Sequence, residues 1–184
     1  MIFDFFRKER RLMKKYILIT LIIVCTLAVI LWVSFIWSNS GESAEESGAK
    51  SEEVQEIVNE VAQSIGIEEP ISEHTVRKTA HFGEYAILGA LLACDALAVS
   101  YLSERRALPI ILSKLSSALP IAFAVALIDE FAVQSRSEGR GPLFTDVLID
   151  LSGAFVGTAC VAVIFLIIHL VIKKRKLGGR TDEI

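Results

Sequence analysis

The sequence predicts an all-α polytopic membrane protein with four transmembrane helices and one extracytoplasmic amphipathic helix. Three observations carry this. Hydrophobic residues are 53% of the 184 residues, and a domain of that size keeps too much surface exposed to hide them all from water. Four apolar runs reach the roughly 20 residues that a bilayer core requires. The basic residues flank those runs in a pattern that fixes an orientation.

The first run, 16–37, carries no charge. Before it stand Arg7, Lys8, Arg10, Arg11, Lys14 and Lys15, and after it Ser38-Asn39-Ser40-Gly41. A cleaved signal peptide shares this polarity, but its apolar core is only about 7–15 residues and ends at a small-residue site. This run is longer and ends in Trp32, Phe35 and Trp37, an interfacial aromatic anchor. It reads as a retained signal-anchor behind a basic cytoplasmic tail, 1–15.

Further spans are expected at 80–100, 115–134 and 147–172, the last stopping at Lys173-Lys174-Arg175-Lys176. Lys114, Pro109 and Pro120 blur the start of the third. Positive residues stay on the cytoplasmic side. The N-terminal tail, Arg105 with Arg106, and the tail 173–184 all fall there if both termini are cytoplasmic, leaving Arg136 and Arg140 as a minor exception. The loop 38–79 then lies outside. Within it Val54, Ile57, Val58, Val61 and Ile65 recur at helical spacing. Ser51 is the expected N-cap, with Glu52 and Glu53 in the first turn, and Gly66 the expected stop. The expectation is a short helix lying on the outer mouth of the bundle. Its acidic polar face argues against attraction to anionic lipid.

The ionisable residues of three helices gather at that outer end. The second helix enters through Arg77, Lys78, His81, Glu84 and Tyr85, the third leaves through Asp129, Glu130 and Gln134, and the fourth enters with Asp146 and Asp150. Arg140 sits in the outer turn between the last two. Spacings of four from Arg77 to His81, three from His81 to Glu84 and four from His81 to Tyr85 place these residues on one face, and Asp146 with Asp150 likewise. Asp129 and Glu130 are adjacent and cannot both point one way. Charge inside a membrane costs about 2.5–3.5 kcal/mol per residue on insertion scales, so charges kept there pair, face a wet cavity or act. The bland alternative is an ion-pair lattice of Arg77, Lys78 and Arg140 against the carboxylates. Gly153 and Gly157 form a small-x-x-x-small step for close helix packing, and Gly83 and Gly89 suit the same role. Asp95 breaks the pattern, lying toward the cytoplasmic half of the second helix. Cys25, Cys94 and Cys160 lie in apolar runs without metal or disulfide spacing and read as packing residues.

The run Arg77-Lys78-Thr79-Ala80-His81-Phe82-Gly83-Glu84-Tyr85-Ala86-Ile87-Leu88-Gly89 resembles the central motif of VanZ-like membrane proteins. Asp129-Glu130, Gln134, Gly139-Arg140, Asp146, Asp150, Gly153 and Gly157 resemble that family's second motif, and Phe35-Ile36-Trp37-Ser38 its first helix exit. The likeness runs from about Trp32 to Thr158. The chain departs from the pattern at Ser135-Arg136-Ser137-Glu138, where the family often has an aromatic and a proline, and at Asp150, where it often has Asn. The resemblance implies the cytoplasmic membrane of Gram-positive bacteria and an association with low-level resistance to teicoplanin, a lipid-tailed glycopeptide.

Three function classes follow. A non-enzymatic envelope protein would bind a lipid-tailed or lipid-linked molecule, its head group meeting Arg77, Lys78, His81, Glu84, Tyr85, Asp129, Glu130, Gln134, Arg140, Asp146 and Asp150. An intramembrane enzyme would draw on His81, Glu84, Asp129, Glu130 and Asp146. In it His81 serves as general base beside a carboxylate, or holds a divalent metal with Glu84, Asp129 or Asp146. Transport is disfavoured because, Asp95 apart, the inner halves of the helices lack ionisable residues. No cofactor and no metal is assigned. Partners are the lipid bilayer and the envelope ligand. Nothing points to nucleic acid, since no basic patch is interleaved with aromatics.

Overall fold

The computed structural model describes residues 2–102, 107–137 and 141–178. Six α-helices follow in order: α1 Ile2–Ser40, α2 Ala44–Ser64, α3 Glu73–Leu102, α4 Leu108–Leu115, α5 Ala118–Ile128 and α6 Phe144–Gly178. There is no strand among the described residues. Four helical segments are long and apolar enough to cross a membrane: Phe6–Ser40, Glu73–Leu102, Leu108–Arg136 and Phe144–Arg175. The protein is therefore an all-α multi-pass membrane protein. Each helix runs beyond its expected span. α1 takes in Arg7 to Lys15, and α3 begins at Glu73, so Arg77, Lys78 and His81 already stand on helix.

The third crossing is built in pieces. Pro109 lies in the first turn of α4 and Pro120 in the first turn of α5, where a missing N–H is tolerated. Between them Ser116 and Ser117 close α4, with Ser117 Oγ donating to the Lys114 carbonyl at 2.6 Å. At its far end the crossing widens into a π-turn, Asp129–Val133, and then tightens into a 3-10 turn, Gln134–Arg136. Such a bulge rotates the residues that follow it out of the α-helical register.

α3 is the central element. It packs most extensively on α6 and next on α1, while α5 also leans on α6. One core cluster joins Ile36, Tyr85, Leu88, Leu92, Ala118, Ala122, Ala126, Val147 and Ala154. The alanines are spaced by four on α5, and their size lets that backbone come close. A second cluster, Ala93, Ile111, Leu115 and Phe165, fills the other end. Leu31, Phe155, Ile164 and Leu170 stay exposed on the outer surface, where lipid replaces water as solvent.

The α3–α6 seam is a backbone contact. A Cβ on Gly153 would meet the Phe82 carbonyl oxygen at 2.2 Å, one on Gly157 the Ala86 carbonyl oxygen at 1.8 Å, and one on Gly89 the Ala154 carbonyl oxygen at 2.1 Å. Thr158 Oγ1 adds a hydrogen bond to the Gly89 carbonyl at 3.2 Å. Gly83 does not share the packing role expected of it, because nothing lies within 4 Å of a Cβ there. The cysteine reading also needs correction: Cys94 and Cys160 are exposed on the bundle surface and only Cys25 is partly covered.

α2 starts earlier than its hydrophobic spacing indicates. Ser43, not Ser51, is the N-cap, since Ser43 and Glu46 form a reciprocal capping box that outcompetes an interior start. Both the backbone and the hydroxyl of Ser43 bond the Glu46 carboxylate and hold its pKa below the usual range. At the other end Gly66 takes φ +87°, with Gly66 N–H donating to the Gln63 carbonyl and Ile67 N–H to the Ala62 carbonyl. This is a Schellman close. α2 is tied down by polar contacts: Gln55 Nε2 donates to the Ile71 carbonyl at 2.7 Å, and Asn59 Oδ1 accepts from the Ile71 N–H at 2.8 Å. Of its apolar stripe Ile57, Val61 and Ile65 are exposed, contrary to expectation, while Val58 is half-buried and Val54 borders the space toward α1 and α3.

Two outcomes test this packing. Gly157→Ala and Gly89→Ala should each destabilise the bundle by about 1–3 kcal/mol, as overpacking does, while Gly83→Ala should leave it unchanged. Thermal unfolding in detergent measures both. Acidification through the lowered pKa of Glu46 should release the capping box and fray the start of α2, seen as faster amide exchange at Glu46.

Candidate functional site

The polar ends of α1, α3, the third crossing and α6 converge at one end of the bundle. Asp129 is fully buried at the head of the π-turn. Its Oδ2 accepts from Ser40 Oγ at 3.0 Å and from the Tyr85 hydroxyl at 3.3 Å. Its Oδ1 has no hydrogen-bond partner among the described residues. Asp150, on α6 and 2% exposed, lies opposite; its Oδ1 likewise has no hydrogen bond among the described residues and stands 3.9 Å from His81 Nδ1. One ligand atom each from His81, Asp129 and Asp150 falls within 4.8 Å of the others. Toward the surface Lys78 and Asp146 form an ion pair across the α3–α6 seam.

Glu130 is also buried, but both of its oxygens are engaged in holding the chain. Oε1 accepts from the Leu143 N–H at 2.6 Å and Oε2 from Gln134 Nε2 at 2.8 Å. It thereby ties the π-turn to the entry of α6. The adjacent acids do diverge, as expected, Asp129 toward α1 and α3 and Glu130 toward the approach to α6. Arg77 pairs with Glu73 of its own helix at 3.5 Å rather than with the carboxylates of the cluster. Glu84 accepts from Asn39 Nδ2 at 2.9 Å, and its carbonyl accepts from Trp32 Nε1 at 2.9 Å. Arg140 lies outside the described residues, as do Arg105 and Arg106.

Two spaces open here, and His81 borders both. A cavity of about 10 Å³ is lined by Lys78, His81, Gln134, Asp146, Ile149 and Asp150, room for about one water molecule. A shallower groove of about 190 Å³ runs between α1, α2 and α3, lined by Asn39, Glu42, Lys50, Arg77, His81 and Glu84, with Val54, Val76 and Ala80 as its apolar wall. Lys50 pairs with Glu42 across its rim. The cavity is acidic and cannot take a phosphate. The groove carries balanced charges and hydrogen-bonding groups of both kinds.

Sequence reasoning missed α1 as a contributor. Asn39 and Ser40 read only as a polar flank, yet they bond Glu84 and Asp129. The available signal was their position, directly beyond the first apolar run and so level with the other polar ends. Asp95 also has a partner: Thr26 Oγ1 on α1 lies 3.4 Å from each of its carboxylate oxygens.

Ser40→Ala should destabilise the bundle by about 1–3 kcal/mol, the cost of stripping a partner from a buried acceptor. Ser34→Ala, whose hydroxyl bonds only its own helix at the Ile30 carbonyl, should have little effect in the same thermal unfolding assay.

No curated protein and no solved structure matches the chain. A family model described as VanZ/LLP1 matches residues 21–168. That stretch runs from within α1 to within α6 and includes every described residue of the polar cluster, so the chain belongs to the VanZ/LLP1 family.

Proposed function

We propose that this integral membrane protein binds the head group of a lipid-tailed or lipid-linked envelope molecule at the outer face of the cytoplasmic membrane. A lipid-tailed glycopeptide such as teicoplanin is the ligand that its family suggests, with resistance as the consequence. One observation carries the reading. The groove between α1, α2 and α3 combines paired acidic and basic side chains with an apolar wall, beside helix faces already exposed to lipid. An amphiphile whose head bears both amines and carboxylates matches that lining, while its tail rides on the apolar helix surface.

The opposite end of the bundle supports the orientation. There Arg11, Lys14 and Lys15 of α1 share a cleft with Tyr101 and Leu102, and Lys173 shares another with Tyr101 and His169. Basic residues from both terminal helices thus stand together at the end away from the polar cluster. Retention of positive charge in the cytoplasm supports the reading with both termini inside and the groove outside.

A second reading has its own support. His81 stands beside two buried carboxylates with unpartnered oxygens, a constellation suited to an intramembrane acid/base or metal-assisted enzyme acting on a lipid-linked substrate. A binder must return its ligand unaltered, and an enzyme must change its substrate's mass.

The test is drug susceptibility of a Gram-positive host expressing the wild type, His81→Ala or Asp129→Asn at matched membrane levels. Only the wild type should raise the inhibitory concentration of teicoplanin, with that of vancomycin little changed. Equal protection by all three would remove the cluster from the function. A Lys50→Cys variant should react with an impermeant thiol reagent added outside intact cells, and reaction only after lysis would reverse the orientation.

A further inference from the structure

The two unpartnered oxygens of the cluster require an account. A buried acceptor without a donor loses its hydration and gains nothing in return, and a buried anion fares worse. Asp129 and Asp150 are 0% and 2% exposed, and each has such an oxygen. Asp129 is not loosely placed. Its other oxygen is held by Ser40 from α1 and Tyr85 from α3, so the carboxylate is fixed while one oxygen stays unused. Hydrogen bonds from an outer ring of residues to one carboxylate oxygen are how proteins orient the other toward a metal.

The surroundings agree. His81 brings a ring nitrogen, and the ligand atoms of His81, Asp129 and Asp150 lie within 4.8 Å of one another. Tetrahedral ligands around zinc stand about 3.4 Å apart, so the three need to close by little more than an ångström. The adjoining cavity, about 10 Å³, excludes a hydrated ion. The lysine in its lining, Lys78, is paired with Asp146, which leaves two buried carboxylates and one shared cation among the described residues. A divalent ion would neutralise both carboxylates.

We propose that His81, Asp129 and Asp150 form a site for a divalent transition-metal ion, of the Zn²⁺ or Mn²⁺ kind that accepts one nitrogen and two carboxylate oxygens. Gln134, which lines the same cavity, stands at its edge. The site comes from three separate elements, α3, the π-turn and α6, so the ion would join them. The proposal rests on reading this cluster as the functional end of the protein, but its test requires no envelope ligand.

The measurement is metal content of the full chain purified in detergent from cells supplied with Zn²⁺ and Mn²⁺, followed by thermal unfolding after chelation and after adding back each ion. The wild type should retain about one ion per chain, lose stability on chelation and regain it with one of the two metals. Asp150→Asn and His81→Gln should each lose most of the metal, and Asp95→Asn should keep it. Should Asp150→Asn fail to fold, chelation and re-addition on the wild type still decide. A folded wild type with no metal and no shift on addition would overturn the site, as would full retention by folded Asp150→Asn. A metal-free wild type that still protects against teicoplanin would overturn the metal site alone. A metal-bound wild type that does not protect would spare it and overturn the head-group reading.

Discussion

The arrangement depends on the backbone contact between α3 and α6. Three glycines, Gly89, Gly153 and Gly157, meet carbonyl oxygens of the facing helix with no side chain between. In lipid there is little hydrophobic force to draw two helices together, so van der Waals contact over a close approach has to do it. The two helices run parallel, and their register is regular. Gly157 meets Ala86, Gly153 meets Phe82, Asp150 lies beside His81, and Asp146 pairs with Lys78. On α6 each of these residues lies about a turn beyond the last. The apolar half of the seam therefore fixes the polar half, and a shift in one displaces the other.

The third crossing solves a different problem. A straight α-helix would send Asp129 and Glu130 about 100° apart on one cylinder, and one would be left facing lipid or the wrong neighbour. The π-turn that starts at Asp129 changes the register there, and both acids end buried. Asp129 is received by α1 and α3, and Glu130 by the chain entering α6. The break at Ser116 and Ser117 makes this crossing two short helices, which lets α5 be set by its own contacts on α6.

Much of this was legible in the sequence. Hydropathy gave the four crossings because the bilayer imposes a length, and the clustering of charges at one end followed from their positions along those runs. The spacing that put Asp146 and Asp150 on one face agrees with their contacts on Lys78 and His81, though Lys78 itself was expected only as one cation of an ion-pair lattice. The polar residues of α1 did not announce themselves, since Asn39 and Ser40 are ordinary in a helix flank and only a tertiary contact makes them partners. Ser51 was a reasonable cap from the apolar stripe alone, but the Ser43–Glu46 pair is the stronger local signal. Arg77 was misjudged for a similar reason. Its place on the face of His81 was right, yet Glu73, one turn away on the same helix, claims it first. The π-turn has no pattern in sequence, because it arises from what surrounds it.

The Lys78–Asp146 pair has a consequence for how the chain is made. A ribosome delivers α3 to the bilayer well before α6 exists, so Lys78 must wait at the membrane surface for Asp146, not yet translated. Asp129 waits as well, having reached Ser40 and Tyr85 but not the final helix. The polar end of the bundle is thus completed last, by the segment synthesised last. A chain interrupted before α6 would carry its charges uncompensated and present a clear target for the quality control that removes unassembled membrane proteins.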